Sequence, residues 1–270
     1  MIAARGATPS IDVAIADAYS AAAASWRDGP AVVYGRLAEV LVDHSPVPVR
    51  GADVVDIGAG TGAASSAALN AGARSLLAVD AAAGILAVDA DRRPPAIIAD
   101  ATSLPLPAAS FDVALAAFSF NHLRDPAAGF REAVRVVRPG GGVVASAYAD
   151  DDRHPAKSAV EQALCDHGWT SPAWYIEMQR DRAPRLATTH GCVEVVRAAG
   201  LDATIANVRV EFPDLGPRQW VEWRLGMAQH TPFVAALGAD QRQEVVREAL
   251  RRLVDAPPLV RSIMIVAVRC

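Results

Sequence analysis

Residues 54–62, which read V-V-D-I-G-A-G-T-G, decide the fold. An apolar run typical of a buried strand leads into three glycines at alternate positions, Gly58, Gly60 and Gly62, and an alanine-rich helical segment follows. The free N–H groups of such a turn, together with the positive end of the helix dipole, attract a negatively charged group. The stretch therefore predicts an anion-binding turn at the carboxyl end of a strand.

On both sides of this turn, short apolar runs alternate with segments of helical spacing, which predicts a sheet wound by helices. The predicted strands are 53–57, 75–79, 96–99, 112–118, 142–148, 203–212 and 262–268, and the last two close the sheet as an antiparallel pair. The predicted helices are 11–25, 31–43, 61–71, 82–89, 126–138, 155–167, 173–182, 190–199, 217–229 and 239–254. The expected fold is α/β: a doubly wound, Rossmann-like, mostly parallel seven-stranded sheet with an antiparallel last strand and helical cap insertions.

The net charge, the lengths of the apolar runs and the cysteine spacing disfavour several classes of function. The chain has 270 residues and a net charge of −4, which disfavours a nucleic-acid partner because few phosphates could be neutralised. No run approaches ~18 consecutive apolar residues, so we expect a cytoplasmic protein without a membrane partner. The three cysteines are far apart and form no metal-binding pair, so no metal is expected.

The glycines alone do not identify a cofactor. Gly58-x-Gly60-x-x-Ala63 also fits the pattern of nicotinamide- and flavin-binding turns. Asp80 ends the next predicted strand about 20 residues beyond the glycines, where a carboxylate accepts hydrogen bonds from a ribose diol. Both cofactor classes predict this carboxylate.

Three motifs in order resemble the class I S-adenosylmethionine-dependent methyltransferases, in particular the ubiquinone/menaquinone-biosynthesis-like small-molecule group. The first is Asp56-x-Gly58-x-Gly60-x-Gly62. The second is the segment 97–113, with Asp100-Ala101, then Leu-Pro-Leu, then Ser-Phe-Asp-Val. The third is 134–141, ending in Arg-Pro-Gly-Gly, with no counterpart in a typical nicotinamide domain. The resemblance covers roughly residues 50–150.

The resemblance implies S-adenosylmethionine as cofactor and S-adenosylhomocysteine as product. It implies a single methyltransferase domain over 1–270, with a helical lid at 1–45, a cofactor-binding core at 50–150, cap insertions at 150–188 and 214–258, and the remaining core at 190–212 and 262–268. Carried over residue by residue, the glycines surround the methionine portion, Asp80 binds the ribose, and Asp100 and Ala101 receive the adenine. The implied cofactor-binding set is Asp56, Gly58, Ala59, Gly60, Gly62, Asp80, Ala81, Asp100, Ala101 and Phe118.

The acceptor is expected to be a small apolar or aromatic metabolite, methylated on a hydroxyl or carbon. His122 follows the fourth strand and is the candidate general base, since imidazole titrates near neutral pH. His190 and His230 are weaker candidates. The predicted substrate contacts are Tyr19, Trp26, His122, Trp174 and Trp223, with ordinary helix packing as the alternative for the aromatic residues.

Competing functions remain open at this point. A NAD(P)-dependent reductase would share the glycine turn, but no Tyr-x-x-x-Lys pair is present in the sequence. A nucleic-acid or protein methyltransferase would share the fold, but the Asn/Asp-Pro-Pro-Tyr type of motif is absent. A protein of this fold could also bind the cofactor and catalyse a non-methylating reaction. The assembly could be a homodimer.

Overall fold

The computed structural model describes residues 12–270. The predicted helix 11–25 is observed as α1 from Val13, and the first 11 residues of the predicted lid 1–45 lie outside the described residues. The α-helices are α1 (Val13–Asp28), α2 (Ala31–Asp43), α3 (Ala63–Asn70), α4 (Ala83–Ala87), α5 (Pro126–Val136), α6 (Ala156–Asp166), α7 (Ala173–Glu177), α8 (Thr189–Ala198), α9 (Pro217–Leu225), α10 (Thr231–Ala236) and α11 (Ala239–Arg251). The strands are β1 (Asp53–Ile57), β2 (Ser75–Asp80), β3 (Ala96–Ile98), β4 (Phe111–Ala117), β5 (Val137–Tyr148), β6 (Thr204–Glu211) and β7 (Val260–Arg269).

The seven strands form one sheet in the order β3-β2-β1-β4-β5-β7-β6. The pairs among β1 to β5 are parallel, and β7 runs antiparallel to both β5 and β6. β1 is buried on both faces, because Val54 packs into the core on one side and Val55 into the core on the other. The predicted doubly wound, mostly parallel sheet of seven strands is confirmed.

The strand order reverses between β1 and β4. The chain runs outward from β1 through β2 to β3, then crosses back to place β4 on the other side of β1. The connections that follow β1 and β4 therefore diverge, which opens a crevice beyond their carboxyl ends. This crevice is where an open α/β sheet of this kind binds its ligands.

The predicted helix 126–138 and strand 142–148 imply a turn over the Pro-Gly-Gly-Gly run at 139–142, and this implied turn is wrong. Helix α5 ends at Val136, and the Pro-Gly-Gly-Gly run lies inside β5, which starts at Val137. The pairing register with β4 shifts between Phe111 and Val113, so the glycines form an irregularity within the strand. The N–H of Gly140 donates to the carbonyl of Cys270, which continues the strand pairing through this segment.

The caps also differ in detail from prediction. The predicted helix 173–182 is α-helical only to Glu177 and continues as one π-helical turn, Met178–Arg182. The predicted helix 217–229 ends at Leu225, and a separate short helix, α10, begins at Thr231 with a proline in its first turn. Helix α6 packs against both α9 and α11, so the two cap segments form one helical layer. Among residues 12–270, no helix has the length and apolar character needed to span a membrane.

A buried arginine fastens helix α1 to the cap. Arg182 is 3% exposed, and its guanidinium donates to Asp12 at 2.5 Å and to Glu177 at 2.8 Å. It also donates to the carbonyl oxygen of His122 at 2.9 Å. Asp12 in turn caps α1 by accepting from the N–H of Ile15. One side chain thus joins α1, the π-helical turn and the segment after β4.

We expect Arg182→Ala to lower the free energy of unfolding by about 2 kcal/mol, because Asp12 and Glu177 lose a buried partner but keep partial contact with water. Urea denaturation measures this change. Arg180→Ala is the matched control, because Arg180 is exposed and its ion pair within residues 12–270 is with its neighbour Asp181. Its change should stay within about 0.5 kcal/mol. Equal effects of the two substitutions would contradict the fastening role of Arg182.

Candidate active site

A cavity of about 1250 Å³ lies at the crevice between the strand ends and the helical layer. Its lining combines the ends of β1, β2 and β4, the segment after β3, helix α1, and residues of both caps. Pockets for single small ligands commonly measure about 300–1,000 Å³. The cavity therefore has room for a large ligand and a second small molecule.

The glycine turn brings β1 and β4 close together. Gly58 has a φ of +76°, and a Cβ atom built on it would lie 2.2 Å from the Cβ of Ser119. The Ser119 hydroxyl donates to the carbonyl of Ile57 at 2.7 Å, which fixes the approach. Any side chain at Gly58 would push the two strand ends apart. Gly58, Ala59 and Gly60 line the cavity.

Asp80 lies at the end of β2 and supports the same turn. One carboxylate oxygen accepts from the N–H of Gly60 at 2.8 Å and the other from the N–H of Ala82 at 2.9 Å. Burial raises the pKa of this carboxyl, and the two backbone N–H groups oppose that rise. Each oxygen keeps a free lone pair. Asp80 and Ala81 both line the cavity.

Asp100 and Ala101 follow β3 and complete this wall of the cavity. Asp100 accepts from the backbone N–H and the hydroxyl of Thr102, both at 2.8 Å. These bonds hold the carboxylate in one orientation beside the turn. Residues from the ends of three neighbouring strands, β1, β2 and β3, therefore face one space, as the sequence predicts.

Phe118 and His122 form the opposite wall, just after β4. Phe118 has a φ of +52°, which is rare for a residue with a bulky side chain and marks a conformation held by its surroundings. The Nε2 atom of His122 lies 3.2 Å from the hydroxyl of Tyr19. Burial lowers the pKa of His122 to about 4, with hydrogen bonds to the backbone of Phe118 and Ser119 acting in the opposite direction. The imidazole is therefore neutral at physiological pH.

Aromatic rings connect this wall to helix α1. Tyr19 and Trp26 are two helical turns apart on α1, so they share one face of the helix. Their ring centroids are 5.1 Å apart, and Tyr19 lies 5.6 Å from the ring of His122. Both residues line the cavity, as does half-buried Trp174 of α7.

Three predicted site residues do not line the cavity. Asp56 is fully buried and accepts from the hydroxyl of Ser65 at 2.7 Å, so its side chain holds α3 against β1. Burial raises the pKa of Asp56 to about 6. Gly62 is the N-cap residue of helix α3. Its φ of +93° sets the path of the turn, while the residue itself does not line the cavity. Trp223 is 1% exposed because its ring packs against the guanidinium groups of Arg261, at 4.7 Å, and Arg224.

The structure adds lining residues that the sequence analysis missed. Tyr34 of α2 and Tyr148 of β5 extend the aromatic wall, with ring centroids 5.3 Å and 4.6 Å from Phe118. Arg224, Gln229 and Arg261 line the cap end of the cavity. Arg224 had a signal in the sequence, since it interrupts an otherwise apolar and aromatic helix face. The other residues lie in segments where no local motif marks them.

Neither of the weaker histidine candidates lines the cavity. His230 is fully buried, and its Nδ1 atom lies 2.6 Å from the carbonyl oxygen of Arg224. Burial lowers the pKa of His230 to about 3, and the charge of Arg224 acts in the same direction. His190 lies exposed in the first turn of α8. His122 is thus the histidine of residues 12–270 that faces the cavity.

Comparison with known proteins points to one family. Residues 55–145 match the methyltransferase domain family. A demethylmenaquinone methyltransferase of Clavibacter sepedonicus is 35% identical over 114 residues, which are 40% of this chain and 46% of that protein. Another from Renibacterium salmoninarum is 30% identical over 145 residues, which are 50% of this chain and 61% of that protein. The chain thus spans about half the length of the curated relatives it matches.

Solved structures share the fold over most of the chain. A S-adenosylmethionine-dependent methyltransferase of Thermotoga maritima gives a TM-score of 0.55 at 14% identity, covering 94% of this chain and 98% of that one. The cyclase SpnF gives 0.52 at 18% identity, covering 87% and 80%. A phosphoethanolamine N-methyltransferase of Haemonchus contortus, in complex with S-adenosylhomocysteine and phosphomonomethylethanolamine, gives 0.52 at 17% identity, covering 86% and 52%. At these identities the likeness concerns the fold.

The matched segment contains the glycine turn, Asp80, Asp100 and His122, so the site described above lies within it. Residues 55–145 therefore match a methyltransferase domain, and the chain resembles the class I S-adenosylmethionine-dependent methyltransferases of menaquinone biosynthesis.

Proposed function

We propose that this chain transfers the methyl group of S-adenosylmethionine to a small-molecule acceptor held in the 1250 Å³ cavity. The observation that carries the proposal is the shared wall formed by the glycine turn, Asp80 and Asp100, opposite Tyr19 and His122. The proposal treats residues 1–270 as one methyltransferase domain, with the N-terminal helices as a lid and the two cap segments as the acceptor-binding layer.

The residues present fit this cofactor. The glycine turn lines the cavity with main chain, and a Cβ at Gly60 would meet the Ile85 side chain only at 3.8 Å, so the backbone is open to a ligand there. The N–H groups of Gly58 and Ala59 donate to the carbonyl of Val79 and that of Gly60 donates to Asp80, so these three are not free to bind the anion that the sequence predicts. The free lone pairs of Asp80 suit the ribose hydroxyls, and Asp100 with Ala101 suits the adenine. Asp56 and Gly62 act from behind the turn by holding its shape.

When bound, the cofactor would supply a sulfonium methyl group, whose carbon the acceptor's nucleophile attacks in line as the C–S bond breaks and the thioether leaves, so alignment provides much of the rate. The chain's own contribution is positioning: α1 covers the cavity, and Tyr19 orients the imidazole of His122. The Tyr19 hydroxyl lies 3.2 Å from Nε2, so a neutral His122 accepts a proton at Nε2 once the acceptor hydroxyl has taken the place of the Tyr19 hydroxyl there. The aromatic wall of Trp26, Tyr34 and Phe118 excludes water and favours a flat, apolar acceptor body.

The relatives support an acceptor of this chemistry, since they are demethylmenaquinone methyltransferases. A small aromatic acceptor with a hydroxyl or an activated ring carbon fits the wall described above. The surplus of acidic over basic residues argues against nucleic acid as the acceptor.

The first test is cofactor binding. Calorimetry with S-adenosylhomocysteine should show binding to the native chain, and Asp80→Ala should weaken it by at least about 100-fold, since two hydrogen bonds to a charged group are lost. Asp91→Ala is the matched control, because Asp91 is exposed and lies away from the cavity. Preference for NADPH over S-adenosylhomocysteine would overturn the proposal.

The second test concerns His122. With an acceptor found by screening small phenols and a demethylmenaquinone for S-adenosylhomocysteine release, His122→Gln should lower kcat by about 100-fold, the usual contribution of a general base. The affinity for S-adenosylhomocysteine should change less than about threefold, because the substitution leaves the glycine turn, Asp80 and Asp100 unchanged. His190→Gln, on the surface of α8, should leave kcat unchanged. A loss below tenfold would remove His122 as the base.

The third test uses pH. The pKa of His122 is lower in the folded chain than in the unfolded chain, so the unfolded state binds more protons between about pH 4 and 6.5. His122 therefore costs stability as the pH falls through this window. The free energy of unfolding should fall less steeply from pH 6.5 to 4.5 in His122→Gln than in the native chain. The control variant is His44→Gln, which replaces an exposed histidine outside the cavity by the same residue type.

A further inference from the structure

The cap end of the cavity holds a second set of polar residues, which the proposed transfer does not use. Arg224 of α9 and Gln229, which follows α9, line it together with Arg261 of β7 and Lys157 of α6. Arg224 and Gln229 are 5% and 3% exposed, which is unusual for such side chains unless they are paired.

Arg224 has hydrogen-bonding capacity that the protein does not fill. Within residues 12–270, its guanidinium donates no hydrogen bond, and its Nε and Nη2 atoms are buried. Glu161 is the carboxylate it faces, with 3.6 Å between Nη2 and Oε1, which is too long for a hydrogen bond. A buried guanidinium in this state carries a desolvation cost that a ligand with acceptor oxygens would relieve.

Gln229 adds a donor at the same end. Its amide nitrogen is buried and, in the described part of the chain, has no hydrogen-bond partner. The backbone carbonyl of Gln229 accepts from the indole of Trp169, so the residue is held in place through its main chain. Arg224 and Gln229 therefore both line the cavity, and each carries an unfilled side-chain donor just beneath the cavity surface.

The remaining charges leave this end positive. Arg261 is paired with Asp152, and its guanidinium packs between the rings of Tyr148 at 4.3 Å and Trp223 at 4.7 Å. Lys157 donates to the amide oxygen of Gln179 at 3.1 Å, which leaves its charge unbalanced. The three cations Arg224, Arg261 and Lys157 therefore face two carboxylates, Asp152 and Glu161, so one positive charge is in excess.

We propose that this end of the cavity is a carboxylate-binding subsite, formed by Arg224 and Gln229, that holds an acidic group of the methyl acceptor. A carboxylate offers only acceptor oxygens, can take two parallel hydrogen bonds from a guanidinium, and would balance the excess charge. This inference rests on the proposed function, because it names a chemical class for the second ligand of the same cavity.

A series of aromatic ring contacts connects His122 with the subsite. From His122 the contacts run through Tyr19, Trp26, Tyr34 and Phe118 to Tyr148, with successive ring centroids 4.6 to 5.6 Å apart. Tyr148 contacts Arg261 beside the subsite. The acceptor class therefore has an apolar or aromatic body that carries both an acidic group and the methylated atom.

The experiment measures binding of defined probes to the full chain saturated with S-adenosylhomocysteine. The probes are the ω-phenylalkanoates from phenylacetate to 6-phenylhexanoate and the matching neutral amides, compared by calorimetry and by the shift in melting temperature. At least one carboxylate should bind about tenfold more tightly than its amide. Arg224→Met and Gln229→Leu should each reduce that preference, and Arg224→Met should remove it.

Arg242→Met is the matched control, because Arg242 is an exposed cation of α11 that pairs with Glu222. It should keep the preference, and melting curves of all variants without probe establish that they fold. Equal affinity for carboxylates and amides, no binding by any probe, or a preference that survives Arg224→Met would each overturn the subsite. A separate titration with S-adenosylhomocysteine distinguishes these outcomes from failure of the proposed function, which would appear as loss of cofactor binding in the native chain.

Discussion

The close approach of the first and fourth strands at Gly58 and Ser119 is the constraint on which the site depends. Because a Cβ at Gly58 would clash with Ser119, the Ser119 side chain packs directly against the main chain at the end of β1. The Ser119 hydroxyl bonds to the carbonyl of Ile57, and Asp80 bonds to the N–H of Gly60, so the turn is held from both neighbouring strands. The strained backbone of Phe118 follows directly and leads into the segment that carries His122.

The wall that we propose holds the cofactor, formed by the glycine turn, Asp80 and Asp100 and called the cofactor wall below, was predictable because its determinants are local. A strand, a glycine turn and a helix are consecutive in sequence, and Asp80 and Asp100 each end a recognisable apolar run. Hydrophobic patterning placed all seven strands, although it could not show that the glycines of 139–142 continue β5 through an irregular register. That outcome depends on pairing with β7, more than 100 residues later in the chain.

The opposite wall, which we propose holds the acceptor and call the acceptor wall, was predicted only in part. Its residues come together through tertiary packing. Tyr19, Trp26 and Trp174 were found by their aromatic character, whereas Trp223 turned out to be packed against two guanidinium groups. Tyr34, Arg224 and Gln229 belong to three segments that no local pattern connects. The low pKa of His122 likewise follows from burial under α1, which a sequence does not show.

The two walls of the cavity differ in the structural elements that form them. The cofactor wall consists of main-chain turns and carboxylates fixed to the sheet, and any change there disturbs strands that belong to the core. The acceptor wall consists of side chains on helices that pack over the sheet from distant parts of the chain. Substitutions on those helices can alter the shape and charge of the acceptor space while the sheet keeps its geometry. The architecture thus separates the residues that support the sheet from those that shape the acceptor space, and gives this fold a route to new acceptors by a few changes in its helical layer.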